Sequence, residues 1–229
     1  MDMERSLDIV KTFLQGDKPE SVIAVNPEKV IKARQDPELL AQLRSAGLLI
    51  PDGIGVVFAA RMLGLGRMKR VPGAELMPEI CDLSAKNGYK IFLFGGRPEV
   101  NIKVVNVLTE RYKGIQIVGR QSGYFNDNEM DGIIENINMS GAQILFIALG
   151  SPKQELWMRK YLQNTTVRVC QGVGGTFDVL TGEVRRAPSV FRMMNLEWFY
   201  RLLSNPKRII RQAALPRFMF AVIRKKMLG

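Results

Sequence analysis

The stretch "KIFLFGGRPEVNIKVVNVLTERY", residues 90–112, is the most informative part of the chain for its architecture. An almost uninterrupted apolar run (90–94) leads through two glycines into a stretch with helical patterning (98–112). A strand that is apolar on both faces belongs inside a parallel sheet covered by helices, because a solvent-facing side would alternate with polar residues. We therefore predict a strand–turn–helix unit here.

Similar units recur along the chain. Further candidate strands are "SVIAV" (21–25), "LLI" (48–50), "IQIVG" (115–119), "ILFIAL" (144–149) and "VRVCQ" (167–171), and helical patterns cover 27–45, 54–63, 74–87, 127–139 and 152–162. This alternation predicts a Rossmann-like α/β fold, with a mostly parallel sheet and helices on both faces. Ligands of such folds bind beyond the carboxyl ends of the strands.

The charge divides the chain into two parts. From Arg185 to Gly229 there are 11 Lys and Arg against one acid, a net of +10, whereas the first 184 residues carry 22 basic and 21 acidic residues. The basic part is also rich in aromatic and aliphatic residues, which predicts amphipathic helices rather than a disordered arm. We expect a Rossmann-like α/β domain over 1–188 and a C-terminal basic amphipathic helical appendage over 189–229. Its charge suits a polyanion, either nucleic acid or an anionic membrane surface.

Composition excludes several kinds of chemistry. The 229 residues include no histidine, which removes His-based triads, His-ligated zinc and imidazole general bases. Two distant cysteines, Cys81 and Cys170, indicate a reducing compartment and no disulfide framework. No apolar run reaches the length of a membrane-spanning helix.

Polar and glycine-rich segments follow several of the predicted strands. The candidates are Asn26, Asp52 in "PDG", Gly95 and Gly96, Gln154 in "GSPKQE", and Asp178 in "GGTFD". Each also has a simple structural explanation: a helix cap for Asn26, a turn for Asp52 and for the glycines, an exposed first helical turn for Gln154, and a cap or turn for Asp178. Because parallel strands end at one edge of a sheet, these segments together predict a shared crevice.

Eight motifs, in order along the chain, resemble those of the WecG/TagA/CpsF glycosyltransferase family. They are "NPEKV", "PDGIGVV", "VPGAELM", "LFGG", "GYF", "ALGSPKQE", "GVGGTFDVLTGEVRRAP" and "LEWFYRLLSNPKR". The resemblance implies metal-independent, inverting transfer of a sugar from a UDP-sugar, most often UDP-N-acetylmannosamine, to GlcNAc on undecaprenyl diphosphate. It implies no cofactor and no metal site. It also implies a bacterial protein that is cytoplasmic, peripheral at the inner face of the plasma membrane, and active in wall teichoic acid or surface polysaccharide synthesis.

The resemblance also implies roles for individual residues. Asp52 is expected to be the general base that takes the proton of the acceptor hydroxyl. Expected substrate contacts are Asn26 and Gln154 at the sugar and diphosphate, Tyr124 and Asp178 near the nucleotide, and backbone N–H donors at Gly95 and Gly96. Arg201, Arg208 and Arg211 match arginines of the family's C-terminal appendage and are expected to stabilise the leaving diphosphate; contact with lipid headgroups alone is the alternative. The chain departs from the family at Ala24, where many members have Thr.

Alternatives to this function exist within the family and outside it. Transfer from UDP-ManNAcA or UDP-glucose is the alternative within the family, and a basic nucleic-acid-binding module is the alternative outside it. The apolar tail argues against a solvated phosphate-binding face, so we expect no nucleic-acid partner. A nucleotide-binding oxidoreductase is disfavoured because no complete dinucleotide fingerprint follows any strand. Self-association stays open, since an exposed apolar tail can be buried against a second copy.

Overall fold

The computed structural model describes residues 1–185, 187–188, 191, 200 and 214–228. The strands are β1 (Glu20–Val25), β2 (Leu48–Pro51), β3 (Lys90–Gly95), β4 (Gln116–Gln121), β5 (Ile144–Ala148) and β6 (Val169–Gly172). They form one sheet in the order β2-β1-β6-β5-β3-β4, and every neighbouring pair is parallel. The predicted α/β fold is confirmed, and so are all six predicted strands.

Helices connect these strands. They are α1 (Met3–Gln15), α2 (Pro27–Ala33), α3 (Pro37–Ser45), α4 (Ile54–Met62), α5 (Gly73–Asn87), α6 (Pro98–Arg111), α7 (Met130–Met139), α8 (Lys153–Tyr161), α9 (Thr176–Leu180) and a C-terminal helix (Ala214–Leu228). The single helix predicted over 27–45 is wrong, because two helices occupy this range. Asp36 caps the second helix by accepting a hydrogen bond from the Leu39 N–H at 3.0 Å, and Pro37 lies in its first turn. An Asp-Pro pair starts a helix well but interrupts one that is already running.

The sheet is buried on both faces. Along β3, Ile91 and Leu93 belong to the core shared with α1, α5 and α6, whereas Phe92 and Phe94 belong to the core shared with α2, α3, α7 and α8. Successive side chains of a strand point to opposite faces, so a strand with helices on both sides must be apolar at every position. This burial explains the uninterrupted apolar run at 90–94.

The crossover helices open a crevice at the carboxyl edge of the sheet. α2 and α3, which follow β1, pack on one face, whereas α5, which follows β2, packs on the other. The helices after β3 and β5 diverge in the same way, with α6 and α8 on opposite faces. Strand ends whose connections leave in opposite directions are the usual ligand sites of open α/β sheets.

The C-terminal helix packs against α2 and α4. Its buried residues Phe218 and Val222 form a small cluster with side chains of these two helices. Arg201, Arg208 and Arg211 of the predicted appendage lie outside the described residues. Among the residues that are described, none of the helices combines the length and the apolar character needed to cross a membrane.

Candidate active site

Asp52 follows the last residue of β2, at the carboxyl edge of the sheet. Its backbone N–H donates to the Val25 carbonyl at 3.0 Å, which ties the corner to the end of β1. The side chain is half-buried, and α4 begins two residues later at Ile54. The Pro-Asp-Gly turn therefore places Asp52 at the carboxyl edge of the sheet, so a turn and the expected catalytic role are compatible.

Asn26 lies next to this corner. Its Oδ1 accepts a hydrogen bond from the Lys29 N–H at 2.8 Å, so the residue caps α2 as one of the two interpretations predicted. A Cβ atom placed on Gly53 would lie 3.5 Å from the Asn26 Cβ, which shows how closely the two corners approach. Any substrate contact from Asn26 must therefore coexist with its cap, which uses the side-chain oxygen.

The segment that leads into α5 also reaches the crevice. The Val71 N–H donates to the Pro51 carbonyl at 2.8 Å, which brings the preceding residue, the half-buried cation Arg70, alongside the Asp52 corner. The Gly73 carbonyl accepts from the buried side chain of Gln171 on β6, with its Nε2 at 3.1 Å. The motif "VPGAELM" is part of the family resemblance, but no pattern within it indicates these contacts, so none of its residues is a candidate from the sequence.

The Gly95-Gly96 turn lies at the carboxyl end of β3. Gly95 has a φ of +117°, and a Cβ there would lie 2.5 Å from the Ala148 backbone carbonyl. The Gly96 N–H donates to the Ala148 carbonyl at 3.0 Å. That N–H therefore already has an acceptor within the protein, and the missing side chain of Gly95 makes room for the Ala148 backbone.

Tyr124 lies beside this turn. The Gly123 N–H donates to the Gly96 carbonyl at 2.8 Å, and the Tyr124 side chain is 70% exposed. The next residue, Phe125, packs on Phe94 with 5.4 Å between ring centroids. The loop is thus anchored by Phe125, while the Tyr124 ring is accessible for stacking on a planar ligand.

Asp178 lies in the first turn of α9, directly after a glycine-rich loop. The side chain is half-buried, and its neighbour Phe177 is fully buried. A Cβ on Gly96 would lie 3.4 Å from the Phe177 ring, so the segments that follow β3 and β6 are in contact across the end of β5. Tyr124 and Asp178 are therefore both carried by segments that contact the Gly95-Gly96 turn.

An ion-pair cluster ties the segment after α9 to α6. The Glu183 carboxylate accepts from Lys103 Nζ at 2.7 Å and from Arg97 Nη2 at 3.3 Å. The Lys103 ammonium, followed by the weaker effect of Arg97, lowers the pKa of Glu183 below its ordinary value. The cluster is solvent-exposed, so its contribution is screened by salt.

Gln154 does not occupy the exposed position that one interpretation gave it. Only 3% of the residue is exposed; its Oε1 accepts from the Gly174 N–H at 3.0 Å, and its Nε2 donates to Glu155 at 2.9 Å. Its neighbour Lys153, by contrast, is exposed. The amide of Gln154 therefore joins the start of α8 to the loop before α9.

Two connected grooves run between α2 and the C-terminal helix. The first, of about 330 Å³, is almost entirely apolar, and the second, of about 600 Å³, is basic. Arg34 and Lys225 line both grooves, and Arg217 and Arg224 line only the second among the residues described. The pair of grooves thus combines an apolar channel with a cluster of cations.

The outer surface of the C-terminal helix is apolar as well. Phe220, Ile223 and Met227 are 68%, 45% and 79% exposed. Their spacing places them on one side of the helix, opposite the buried Phe218 and Val222. We call these three residues the outer stripe.

The remaining candidate reactive groups are few. Burial raises the pKa of the Cys81 thiol to about 12 and that of Cys170 well above its ordinary value, so both stay protonated. Within the described ranges, no three or more Cys, Asp or Glu side chains are grouped so that they could hold a metal ion.

Comparison with known proteins identifies one family. The family model described as "Glycosyl transferase WecG/TagA/CpsF family" matches residues 1–229, which is the full chain. The motifs that carried the resemblance in the sequence include the Asp52 corner, the Gly95-Gly96 turn, the Tyr124 loop and the segment around Asp178, all at the carboxyl edge of the sheet.

Proposed function

Because this chain belongs to the WecG/TagA/CpsF family of glycosyltransferases, we propose that it transfers N-acetylmannosamine from a UDP-sugar to GlcNAc on undecaprenyl diphosphate. Family membership implies a sugar donor and a lipid-linked acceptor in general. The observation that supports this specific transfer reaction is the half-buried Asp52 next to Asn26 at the carboxyl edge of the sheet. In wall teichoic acid or surface polysaccharide synthesis, such a step extends a lipid-linked sugar by one residue.

The proposed reaction is a single displacement with inversion. The acceptor hydroxyl oxygen forms a bond to the anomeric carbon while the bond from that carbon to the UDP oxygen breaks. Asp52 accepts the hydroxyl proton, and UDP leaves with the electron pair of the broken bond. A carboxylate is the natural base in a chain without histidine.

The donor nucleotide is proposed to bind at the ends of β3, β5 and β6. The exposed ring of Tyr124 suits stacking on uracil, and the Asp178 carboxylate suits hydrogen bonds from uracil or ribose. The Gly95-Gly96 turn is proposed to lie against the nucleotide, and Gln154 supports the neighbouring loop through Gly174. The sugar then lies toward Asn26 and Asp52.

The charge of the leaving UDP is proposed to be balanced by arginines, without a metal or other cofactor. Arg201, Arg208 and Arg211 carry this role in our proposal, with residues 189–229 acting as an appendage to the catalytic domain 1–188. The basic groove and the outer stripe support a location at an anionic membrane surface on the cytoplasmic side, where the lipid acceptor is found.

A donor panel tests this proposal. UDP release is measured with UDP-ManNAc, UDP-ManNAcA and UDP-glucose, each with and without a lipid-diphosphate GlcNAc analogue. We expect acceptor-dependent release to be fastest with UDP-ManNAc. Preference for another donor would change the substrate assignment, and no acceptor-dependent release from any donor would refute the proposed reaction.

A further inference from the structure

A buried ion pair lies between the two halves of the crevice. The Lys29 ammonium on α2 contacts the Glu155 carboxylate on α8 at 2.7 Å, and the two side chains are 6% and 0% exposed. Neither residue has a role in the mechanism above. The pair lies behind the corners that carry the candidate substrate contacts, on the α2 and α8 side of the sheet.

Lys29 holds the end of β1 and the start of α2. Its Nζ also donates to the Ala24 carbonyl at 2.6 Å, and its backbone N–H donates to Asn26 Oδ1 at 2.8 Å. Lys29 thereby fixes both the backbone at the end of β1 and the orientation of the Asn26 side chain.

Glu155 holds the opposite side. The Oε1 atom that accepts from Lys29 also accepts from Gln154 Nε2 at 2.9 Å, and Gln154 in turn accepts from the Gly174 N–H at 3.0 Å. A continuous chain of hydrogen bonds therefore joins the ends of β1, β5 and β6. The other carboxylate oxygen, Oε2, is buried and has no hydrogen-bond partner among the residues described.

The stability of the fold does not account for this arrangement. Removing two charges from water costs more than their attraction commonly returns, and well-packed apolar residues often replace such a pair without loss of stability. The buried, unpartnered Oε2 adds to that cost. Apolar contacts do not fix the relative orientation of two segments. Hydrogen bonds do, because they fix both the distance and the angle between the segments that they join.

We infer that Lys29 and Glu155 are positioning residues for the proposed transfer, on which this inference rests. They fix the distance and the angle between two sides of the crevice. One side carries Asn26 and Asp52, and the other is the proposed nucleotide side beyond Gly174. They touch no substrate, and they act through Asn26, Gln154 and the backbone of Ala24.

The test is a double variant that removes both charges, Lys29→Met/Glu155→Leu. We expect its thermal midpoint to fall less than that of Lys29→Met, because no unpaired charge is left behind, although the Ala24 carbonyl and the Gln154 amide each lose a partner. We expect kcat for UDP release to fall about 100-fold, with a smaller change in KM for the donor, because a misplacement of about 1 Å has an effect of this size. Lys29→Met alone leaves the carboxylate unpaired and should lower the thermal midpoint.

The matched control is Gln42→Met. Gln42 is also buried and polar, and its Nε2 donates to Ser21 Oγ at 3.4 Å, at the amino end of β1 and away from the crevice. We expect this variant to keep kcat within about twofold of wild type, since the change lies outside the hydrogen-bond chain.

The outcomes separate this inference from the proposed function. If the wild-type enzyme is active and the folded double variant has the same kcat, the positioning role alone is overturned. A wild-type enzyme with no turnover of any donor overturns the proposed function and this inference with it. If the Leu variant does not fold, Lys29→Met/Glu155→Gln preserves the acceptor for Gln154, and an unchanged kcat in that variant overturns the inference equally.

Discussion

Among single residues, Asp52 provides the most direct test of the chemistry. Replacing it with Asn preserves the shape of the side chain and the backbone bond to Val25 but removes the basic oxygen. We expect kcat for UDP release to fall about 10²- to 10⁴-fold, which is the usual contribution of a general base. The thermal midpoint should change little. Wild-type turnover in Asp52→Asn, measured by UDP release, would mean that another group takes the proton.

Gly95 tests the geometry of the β3 turn. A side chain at this position would lie 2.5 Å from the Ala148 carbonyl and would have to adopt a φ of +117°. We expect Gly95→Ala to lower the free energy of unfolding by about 2 kcal/mol or more, measured by urea denaturation.

The control for that substitution is Gly132→Ala. Gly132 lies within α7 and would gain a Cβ with no atom within 4 Å. Because alanine favours a helix over glycine, we expect this variant to be more stable by about 0.5–1 kcal/mol. Equal effects of the two substitutions would contradict the close approach at Gly95.

The sequence contains less information about residues whose partners are distant in the chain. Asp36-Pro37 encodes the division between α2 and α3 locally, through a cap and a break, although the apolar pattern predicted a single helix over 27–45. Lys29 and Glu155, by contrast, are 126 positions apart, and neither looks unusual within its own motif. Gln154 was assigned to a substrate pocket by resemblance, but its burial and its bond to Gly174 needed the fold. Local patterns predict elements; long-range polar pairing follows from how the elements assemble.

At the scale of elements, the C-terminal helix has two apolar sides with different expected roles. The inner side packs on α2 and α4 through Phe218 and Val222, whereas the outer stripe is exposed. We expect Phe220→Ser/Ile223→Ser/Met227→Ser to weaken binding to anionic vesicles at least about tenfold, measured by co-sedimentation. The thermal midpoint should not change, because exposed side chains contribute little to folding.

Phe218→Ser is the control for the outer stripe. Phe218 is 4% exposed, so its loss leaves a cavity and should lower the thermal midpoint. A triple variant that binds vesicles as tightly as wild type would show that the outer stripe does not insert into the bilayer. A large fall in its thermal midpoint would show instead that the stripe is packed within the protein.

For the whole molecule, the decisive property is the concentration of positive charge in residues 185–229. Charge alone would attract both duplex DNA and an anionic membrane, and both attractions weaken as salt increases. Insertion of an apolar stripe is far less sensitive to salt than charge attraction is. We therefore expect wild type to retain measurable vesicle binding at about 0.5 M salt, while its DNA binding falls by orders of magnitude.

A charge-reversal pair locates the electrostatic part of this binding. Arg217→Glu/Arg224→Glu changes the basic groove, and we expect it to weaken vesicle binding at low salt by at least about tenfold, since each cation near an anionic surface contributes about 1 kcal/mol. The matched control, Arg111→Glu/Lys113→Glu, changes the net charge equally at exposed positions near the amino end of β4, and it should bind vesicles nearly as wild type does. Equal losses in both variants would mean that net charge, rather than this surface, governs membrane association. Tighter binding to DNA than to vesicles at physiological salt would favour the nucleic-acid alternative.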